Sequence, residues 1–288
     1  MSIVVTGATG HLGHLIVESL LARGVAPSDI VAAGRNVEKL DALKPLGVQT
    51  AVIDFTDPAS LVTAFTGAST LVLVSGSEVG QRIAQHTNAI DAAKSAGITR
   101  IVYTSAPRAD TSALILAPEH KATEEYLRAS GVDFTILRNN WYNENYASGL
   151  VQIRQTGVYA ASTGEGRVAS ASRADYADAV AAVLTASNPA EHVNATYELS
   201  GDVAWNGSEF AEILTDVLGR EVTYTPLTAE QHAAALRGFG LDEGTIGFVT
   251  ALDANIAAGL LDKTSDDLSR LIGRPTTPVG VTLAALAG

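Results

Sequence analysis

Cysteine is absent from this 288-residue chain, so disulfides, thiolate metal sites and thiol nucleophiles are excluded. Charged residues make up only 17% and hydrophobic residues 47%, a balance that a disordered chain does not have. Basic residues are few: 19 Lys and Arg against 31 Asp and Glu leave a formal net charge of −12. That argues against a nucleic-acid or anionic-membrane partner, since both favour a basic face. An anionic small molecule stays open, because amide dipoles and one arginine hold a phosphate on an acidic protein. The histidines at 11, 14, 86, 120, 192 and 232 show no metal-ligand spacing, and no metal is expected. No apolar run approaches the ~20 residues of a membrane helix. Met1-Ser2 leads directly into Ile3-Val4-Val5 without a basic leader or cleavage site, so the expected location is cytoplasmic.

What is present is an alternation of two patterns. Short β-branched runs at 3–6, 30–33, 49–54, 70–75, 100–105 and 134–138 predict buried strands. Helical periodicity fills the gaps, over 11–23, 37–46, 58–65, 80–96 and 118–130. Strands returned to one sheet by helices pair in parallel, and helices on both faces remove the need for polar alternation. The fold class is therefore α/β, a doubly wound parallel sheet whose ligand crevice lies at the carboxyl ends of the strands. After residue 139 the pattern changes. A polar, aromatic stretch at 139–166 precedes a helix at 173–186 and a strand at 196–199, and further helices are expected at 208–218, 229–238 and 266–272. The division expected is a Rossmann domain of 1–138 plus 167–199 and a smaller helix-rich substrate-binding lobe of 139–166 plus 200–288.

Thr6-Gly7-Ala8-Thr9-Gly10-His11-Leu12-Gly13 joins the first strand to the first helix. Three glycines at that junction permit a tight turn, let backbone approach a pyrophosphate, and bring the helix close to the sheet. The helix N-terminus adds free N–H groups and a partial positive charge. Gly7, Thr9, Gly10, His11, Leu12 and Gly13 are thus candidate dinucleotide-binding residues. At the end of the second strand, where an acid would bind the ribose of NAD, the chain reads Ala33-Gly34-Arg35-Asn36. A guanidinium forks onto a 2′-phosphate that a carboxylate would repel, so NADP(H) is expected in preference to NAD(H). Asp54 and Phe55, closing the third strand, are placed either to flank the adenine or to cap the next helix.

Three further segments should converge on the nicotinamide end: Ser75-Gly76-Ser77, Thr104-Ser105-Ala106, and the run from Asn139 to Tyr146. The aromatics of the last run suit a flat substrate stacked on a nicotinamide ring. With Gly34-Arg35-Asn36, Tyr103-Thr104-Ser105, Leu137-Arg138-Asn139, Ser172-Arg173-Ala174-Asp175-Tyr176 and Leu271-Ile272-Gly273-Arg274-Pro275-Thr276, the chain resembles the atypical short-chain dehydrogenase/reductases of the NmrA-like group. Ser77-Glu78-Val79-Gly80-Gln81-Arg82 and the 141–146 run look most like its quinone-reductase branch, with the triphenylmethane dye reductases nearby. The resemblance implies NADPH held by the glycine loop, Arg35, Ser75, Gly76, Ser77, Ser105, Lys121 and Asn139. It implies a quinone near Ala106, Pro107, Trp141, Tyr142, Asn145 and Tyr146, with Lys121, Tyr142 and Asn143 as candidate catalytic residues.

Typical members of that superfamily carry a Tyr-x-x-x-Lys pair after the fifth strand. Here Lys121 takes the lysine place and Ala117 stands where the tyrosine would be. Hydride addition to a simple ketone leaves a strongly basic alkoxide that needs a positioned acid. Addition to a quinone leaves a delocalised oxyanion nearer a tyrosinate, with pKa about 10. The expected activity is therefore NADPH-dependent hydride transfer to a quinone or similar conjugated acceptor. The alternatives are a redox-sensing NADP(H)-binding regulator without turnover, or a reductase of dyes, carbonyls or imines, for which Lys121, His120 or Tyr142 would stand in as acid. His86 and His120 read as helix-surface or lobe-interface residues, and Asp175-Tyr176 as a packing feature. The partner expected is a small molecule, the chain being a monomer or a homodimer.

Overall fold

The computed structural model describes residues 2–76, 78 and 80–287. The chain divides into two compact units, one of Met1–Asp110, Leu116–Asn139 and Arg173–Glu198, the other of Thr111–Ile115, Asn140–Ser172 and Leu199–Gly288.

The first unit carries strands β1 (Ile3–Val5), β2 (Ile30–Gly34), β3 (Gln49–Val52), β4 (Thr70–Leu73), β5 (Arg100–Ser105) and β6 (Asp133–Asn139). Strand β7 (Val158–Ala161) belongs to the second unit, and β8 (Ala195–Leu199) flanks β6. The sheet order is β3-β2-β1-β4-β5-β6-β8, with β1 to β6 paired in parallel. Strands β1, β4 and β5 are buried at every position, between two helical layers, with apolar centres at Ile3–Val5, Leu71–Leu73 and Ile101–Tyr103. Crossover helices are α1 (His11–Ala22), α2 (Val37–Asp41), α3 (Pro58–Phe65), α4 (Arg82–Ser95) and α5 (Ala117–Ala129). Helix α6 (Leu150–Thr156) lies in the second unit, and α7 (Arg173–Thr185) packs on α1. Leu12, Ile16, Val17 and Leu20 form the buried stripe of α1, and Ser19 Oγ donates to Asp178 Oδ1 of α7 at 2.8 Å. Strand order reverses between β1 and β4, which fixes the ligand crevice at their carboxyl ends.

The second helix is shorter than the periodicity predicts. It stops at Asp41, because Pro45 has no N–H to continue the ladder, and a short 3-10 turn follows at Lys44–Leu46.

The second unit holds a two-stranded parallel sheet of β7 and β9 (Thr223–Pro226), with α8 (Gly207–Leu218), α9 (Ala229–Gly238), α10 (Glu243–Ala257), α11 (Asp267–Ile272) and α12 (Val279–Ala287). Segments 111–115 and 167–172 belong to this unit, contrary to the expected division. Hydrogen bonding is the reason: Ile115 N donates to Asn255 Oδ1 and Ala169 N to Leu261 O, each at 2.8 Å, and Val168 pairs with Trp205. Among the described residues, no helix is long and apolar enough to cross a membrane.

Candidate dinucleotide site

The glycine loop is built from both sides of the switch point. Thr6, fully buried, donates through Oγ1 to Val72 O at 3.2 Å and accepts from Val74 N at 3.0 Å, which stitches the end of β1 to β4. Gly7 takes φ +63, the left-handed region that favours glycine. Ala8 N then donates to Ala33 O of β2, and Gly10 N closes the turn onto Gly7 O at 2.9 Å. A Cβ on Gly13 would lie 2.2 Å from Gly7 O, so only glycine lets α1 start this close to the turn. Thr9 rests against β2, since a Cβ on Gly34 would meet its side chain at 2.8 Å.

Helix α1 begins with Gly10 as its cap, with no side-chain cap and no acid in the first turn. Its first N–H groups therefore face outward with the positive end of the dipole, a ready anion site. A Cβ on Gly10 would meet only Gly7 O, at 3.3 Å, so the space beyond the turn is free for a diphosphate to approach. The residues present fit a dinucleotide.

Arg35 follows β2 and is exposed, its Nη1 2.7 Å from Glu78 Oε1. Asp54 turns inward on its own loop, accepting from Thr56 N at 2.8 Å and Thr56 Oγ1 at 2.7 Å. Those bonds, helped by the Arg35 charge, hold its carboxyl below the usual range. Asp54 does not cap the next helix, whose cap is Asp57, accepting from Ala59 N at 3.1 Å. Phe55 packs against the sheet core, edge-on to His86 at 6.2 Å, and its carbonyl accepts from Asn88.

The segment after β4 is clamped from beneath. Gly76 N donates to His86 Nε2 at 3.1 Å, and Arg82 Nε donates to Gly76 O at 3.0 Å. His86 Nδ1 faces Thr123 Oγ1 of α5 at 3.1 Å, and Thr123 in turn donates to Glu119 O. Accepting from Gly76 forces the proton onto Nδ1. Burial, reinforced by the Arg82 charge, pushes the His86 pKa down to about 3, so the ring is neutral at pH 7. Arg82 is itself buried and pairs with Glu119, which also accepts from Gly80 N at 2.9 Å. Ser75 N donates to Thr104 Oγ1 at 3.0 Å, while Ser77 lies outside the described residues.

Ser105 ends β5 buried, with Oγ donating to Glu124 Oε1 at 2.6 Å. Glu124 also takes both Nε (2.9 Å) and Nη2 (2.6 Å) of Arg138, whose Nη1 reaches Asp110 and Glu198. Ala106, Pro107 and Asn139 are buried beside these strand ends. Lys121 is exposed on α5. His120 is not a surface residue: it is buried against Tyr103, its Nδ1 2.7 Å from the phenol, and burial drives its pKa well below the usual value. His86 likewise has no exposed surface, which corrects the expectation for both histidines.

In the second unit, Trp141, Tyr142 and Asn145 are half-buried. Two further expected site residues there have defined packing partners. Asn143 is fully buried, its amide donating to Thr277 O at 3.2 Å and Thr282 Oγ1 at 3.0 Å, so it ties the C-terminal segment to the 143–149 turn. The Tyr146 ring is packed against Trp205 (5.1 Å) and Phe210 (4.8 Å), in an aromatic core that includes Tyr159. Asp175 and Tyr176 are fully buried at the start of α7, as a packing feature requires.

Sequence reasoning missed Arg82, Glu119, Glu124 and Arg138 as supports. The available signal was spacing: Arg82 and His86 on α4, and Glu119 with Thr123 and His120 with Glu124 on α5, are i,i+4 polar pairs on the faces that meet the sheet.

A three-glycine turn at the switch point of a doubly wound sheet defines a dinucleotide-binding Rossmann protein. The model of NAD(P)H-binding domains matches residues 7–187, and the chain belongs to that NAD(P)H-binding family. Over 284 residues it is 44% identical to quinone oxidoreductase 2 of Escherichia coli strain K12, covering 99% of this chain and 98% of that protein. The crystal structure of an NADPH-dependent quinone oxidoreductase from Escherichia coli complexed with NADPH gives a TM-score of 0.93 at 44% identity, covering 99% of this chain and 100% of that one. Citrobacter sp. triphenylmethane reductase complexed with NADP(H) gives 0.94 at 38% identity, covering 99% and 100%.

Proposed function

We propose that this protein is an NADPH-dependent reductase of quinones or similar conjugated acceptors. The observation that carries the reading is its 44% identity to quinone oxidoreductase 2 across nearly the whole of both chains. The first unit takes the cofactor: the α1 N-terminus and the Gly7–Gly13 turn hold the diphosphate, and Arg35 receives the 2′-phosphate. The Gly76 peptide, fixed on both sides by His86 and Arg82, presents a rigid backbone edge toward the nicotinamide, and Lys121 binds its ribose. The resemblance to quinone reductases assigns the acceptor's contacts to Trp141, Tyr142 and Asn145.

Reduced nicotinamide, when bound, supplies a hydride. The chain's own contribution is orientation and exclusion of water. Ala117 offers no phenol, and His120, neutral and bonded to Tyr103, is no acid. Acceptors that leave a stabilised oxyanion suit such a site, since a hydroquinone anion takes its proton from water or from Tyr142. The test is steady-state oxidation of NADPH with a small benzoquinone or naphthoquinone. Rates indistinguishable from the uncatalysed background would refute the reading.

A further inference from the structure

The geometry points to Glu78 as the residue that limits how strongly this protein separates a 2′-phosphorylated dinucleotide from one without that phosphate, by occupying Arg35 until the phosphate arrives. The inference rests on the reading of Arg35 as the 2′-phosphate site.

Arg35 and Glu78 form an ion pair at 2.7 Å, and the pair is supported rather than incidental. Glu78 Oε2 accepts from Gln85 Nε2 at 2.8 Å, and Gln85 is buried on α4 with only 5% of its surface exposed. A carboxylate pinned by a buried amide spends little side-chain freedom in holding its arginine. Asp54 carries a second negative charge within electrostatic reach of both partners. The bonds from Gln85 and Arg35 keep Glu78 ionised at neutral pH, holding its carboxyl below the usual range.

A 2′-phosphate must therefore displace one carboxylate and settle beside it and Asp54. A dinucleotide with a free 2′-hydroxyl carries no such charge and leaves the Arg35–Glu78 pair intact. Glu78 thus opposes NADPH more than NADH, while Arg35 favours NADPH; the selectivity observed is the difference between the two. Glutamine at 78 keeps the oxygen that Gln85 donates to and removes the charge.

The experiment measures Kd by fluorescence titration for NADPH and NADH, and for 2′,5′-ADP and 5′-AMP by competition. The proteins are the wild type, Glu78→Gln, Arg35→Ala and the double variant, each at two salt concentrations. Glu78→Gln should tighten NADPH and 2′,5′-ADP by roughly 2- to 5-fold, the scale of a partly exposed ion pair. It should leave NADH and 5′-AMP within about twofold of wild type on the same scale. NADPH binding should weaken with salt more steeply in Glu78→Gln than in wild type, because the phosphate then meets an unneutralised guanidinium. The effect should vanish when Arg35→Ala is the background. NADPH binding that is unchanged or weaker in Glu78→Gln, with a wild type that binds NADPH normally, overturns the role of Glu78 alone. A wild type that binds neither NADPH nor 2′,5′-ADP overturns the cofactor reading and this inference with it.

Discussion

Gly13 and Gly10 stand three residues apart in the same turn, and the structure predicts that alanine at each fails differently. At Gly13 the added Cβ would lie 2.2 Å from Gly7 O, 2.5 Å from Gly7 C and 2.8 Å from Ala8 N. All three are backbone atoms of a turn fixed at both ends, by Thr6 on β4 and by Ala8 N on Ala33 O, so no side chain can swing aside. Either α1 or the turn must move, at a cost of about 1–3 kcal/mol for overpacking, and the backbone clash puts Gly13→Ala toward the upper end. At roughly 2–4 °C per kcal/mol, the melting temperature should fall by roughly 4–12 °C. At Gly10 the Cβ meets one atom, Gly7 O, at 3.3 Å, and φ is −96, so the fold should lose little. That Cβ instead stands in the way of a diphosphate. Thermal unfolding with and without NADPH separates the two. A wild type saturated to 100 times its Kd gains about 2.7 kcal/mol, an upward shift that Gly10→Ala should lack while melting near wild type without cofactor. Gly13→Ala should lose both the stability and the shift. If Gly13→Ala melts and binds NADPH like wild type, the packing argument for the third glycine is wrong.

Arg35→Ala should weaken NADPH far more than NADH in the same titrations; equal losses would remove the argument for phosphate selectivity. Arg138→Ala should destabilise by about 3 kcal/mol in urea unfolding, because it leaves the buried Glu124 carboxylate with only the Ser105 hydroxyl and the more distant Arg128 guanidinium at 3.8 Å. The exposed pair Arg237–Glu243 should show no measurable loss when Arg237 is replaced by alanine. His86 predicts a pH dependence: its imidazole protonates near pH 6.5 in the unfolded chain but near 3 in the folded one, so the unfolded state gains the proton first. Stability is complete above about pH 6.5 and falls as the pH drops toward 3, by about 2 kcal/mol at pH 5 from this residue. Glutamine in its place should flatten the slope by about one proton while His120 continues to contribute; an unchanged slope would show that His86 is not the group responsible.

The strands and crossover helices of the first unit were legible because their signals are local. Buried parallel strands are continuous β-branched runs, and α1 shows its apolar stripe at helical spacing. The glycine loop was legible for the same reason: a turn, a close approach and a helix start are demands on consecutive residues. Elements of the second unit were less so. Helix α10 contains Gly244, Gly247 and the β-branched Thr245, Ile246, Val249, Thr250 and Ile256, so propensity argues against it; the Asp242 cap and burial of Ile246, Leu252 and Ile256 sustain it. Strands β7 and β9 are four residues each and are joined in register from Val158–Thr223 to Ala161–Pro226, a pairing between distant segments that no local pattern announces.

The sequence by itself determined a doubly wound sheet, the phosphate turn and the guanidinium that stands where an acid would select NAD. Tertiary structure decided which partners the polar side chains take. Asn143 and Tyr146 look like site residues in a polar, aromatic run, yet one is spent on the C-terminal segment and the other on an aromatic core. His86, Arg82 and Glu124 look like helix surface, yet they hold Gly76 and Ser105 from beneath. The physical reason is that a polar group's role is set by its partner, and here those partners stand 6 to 139 positions away along the chain.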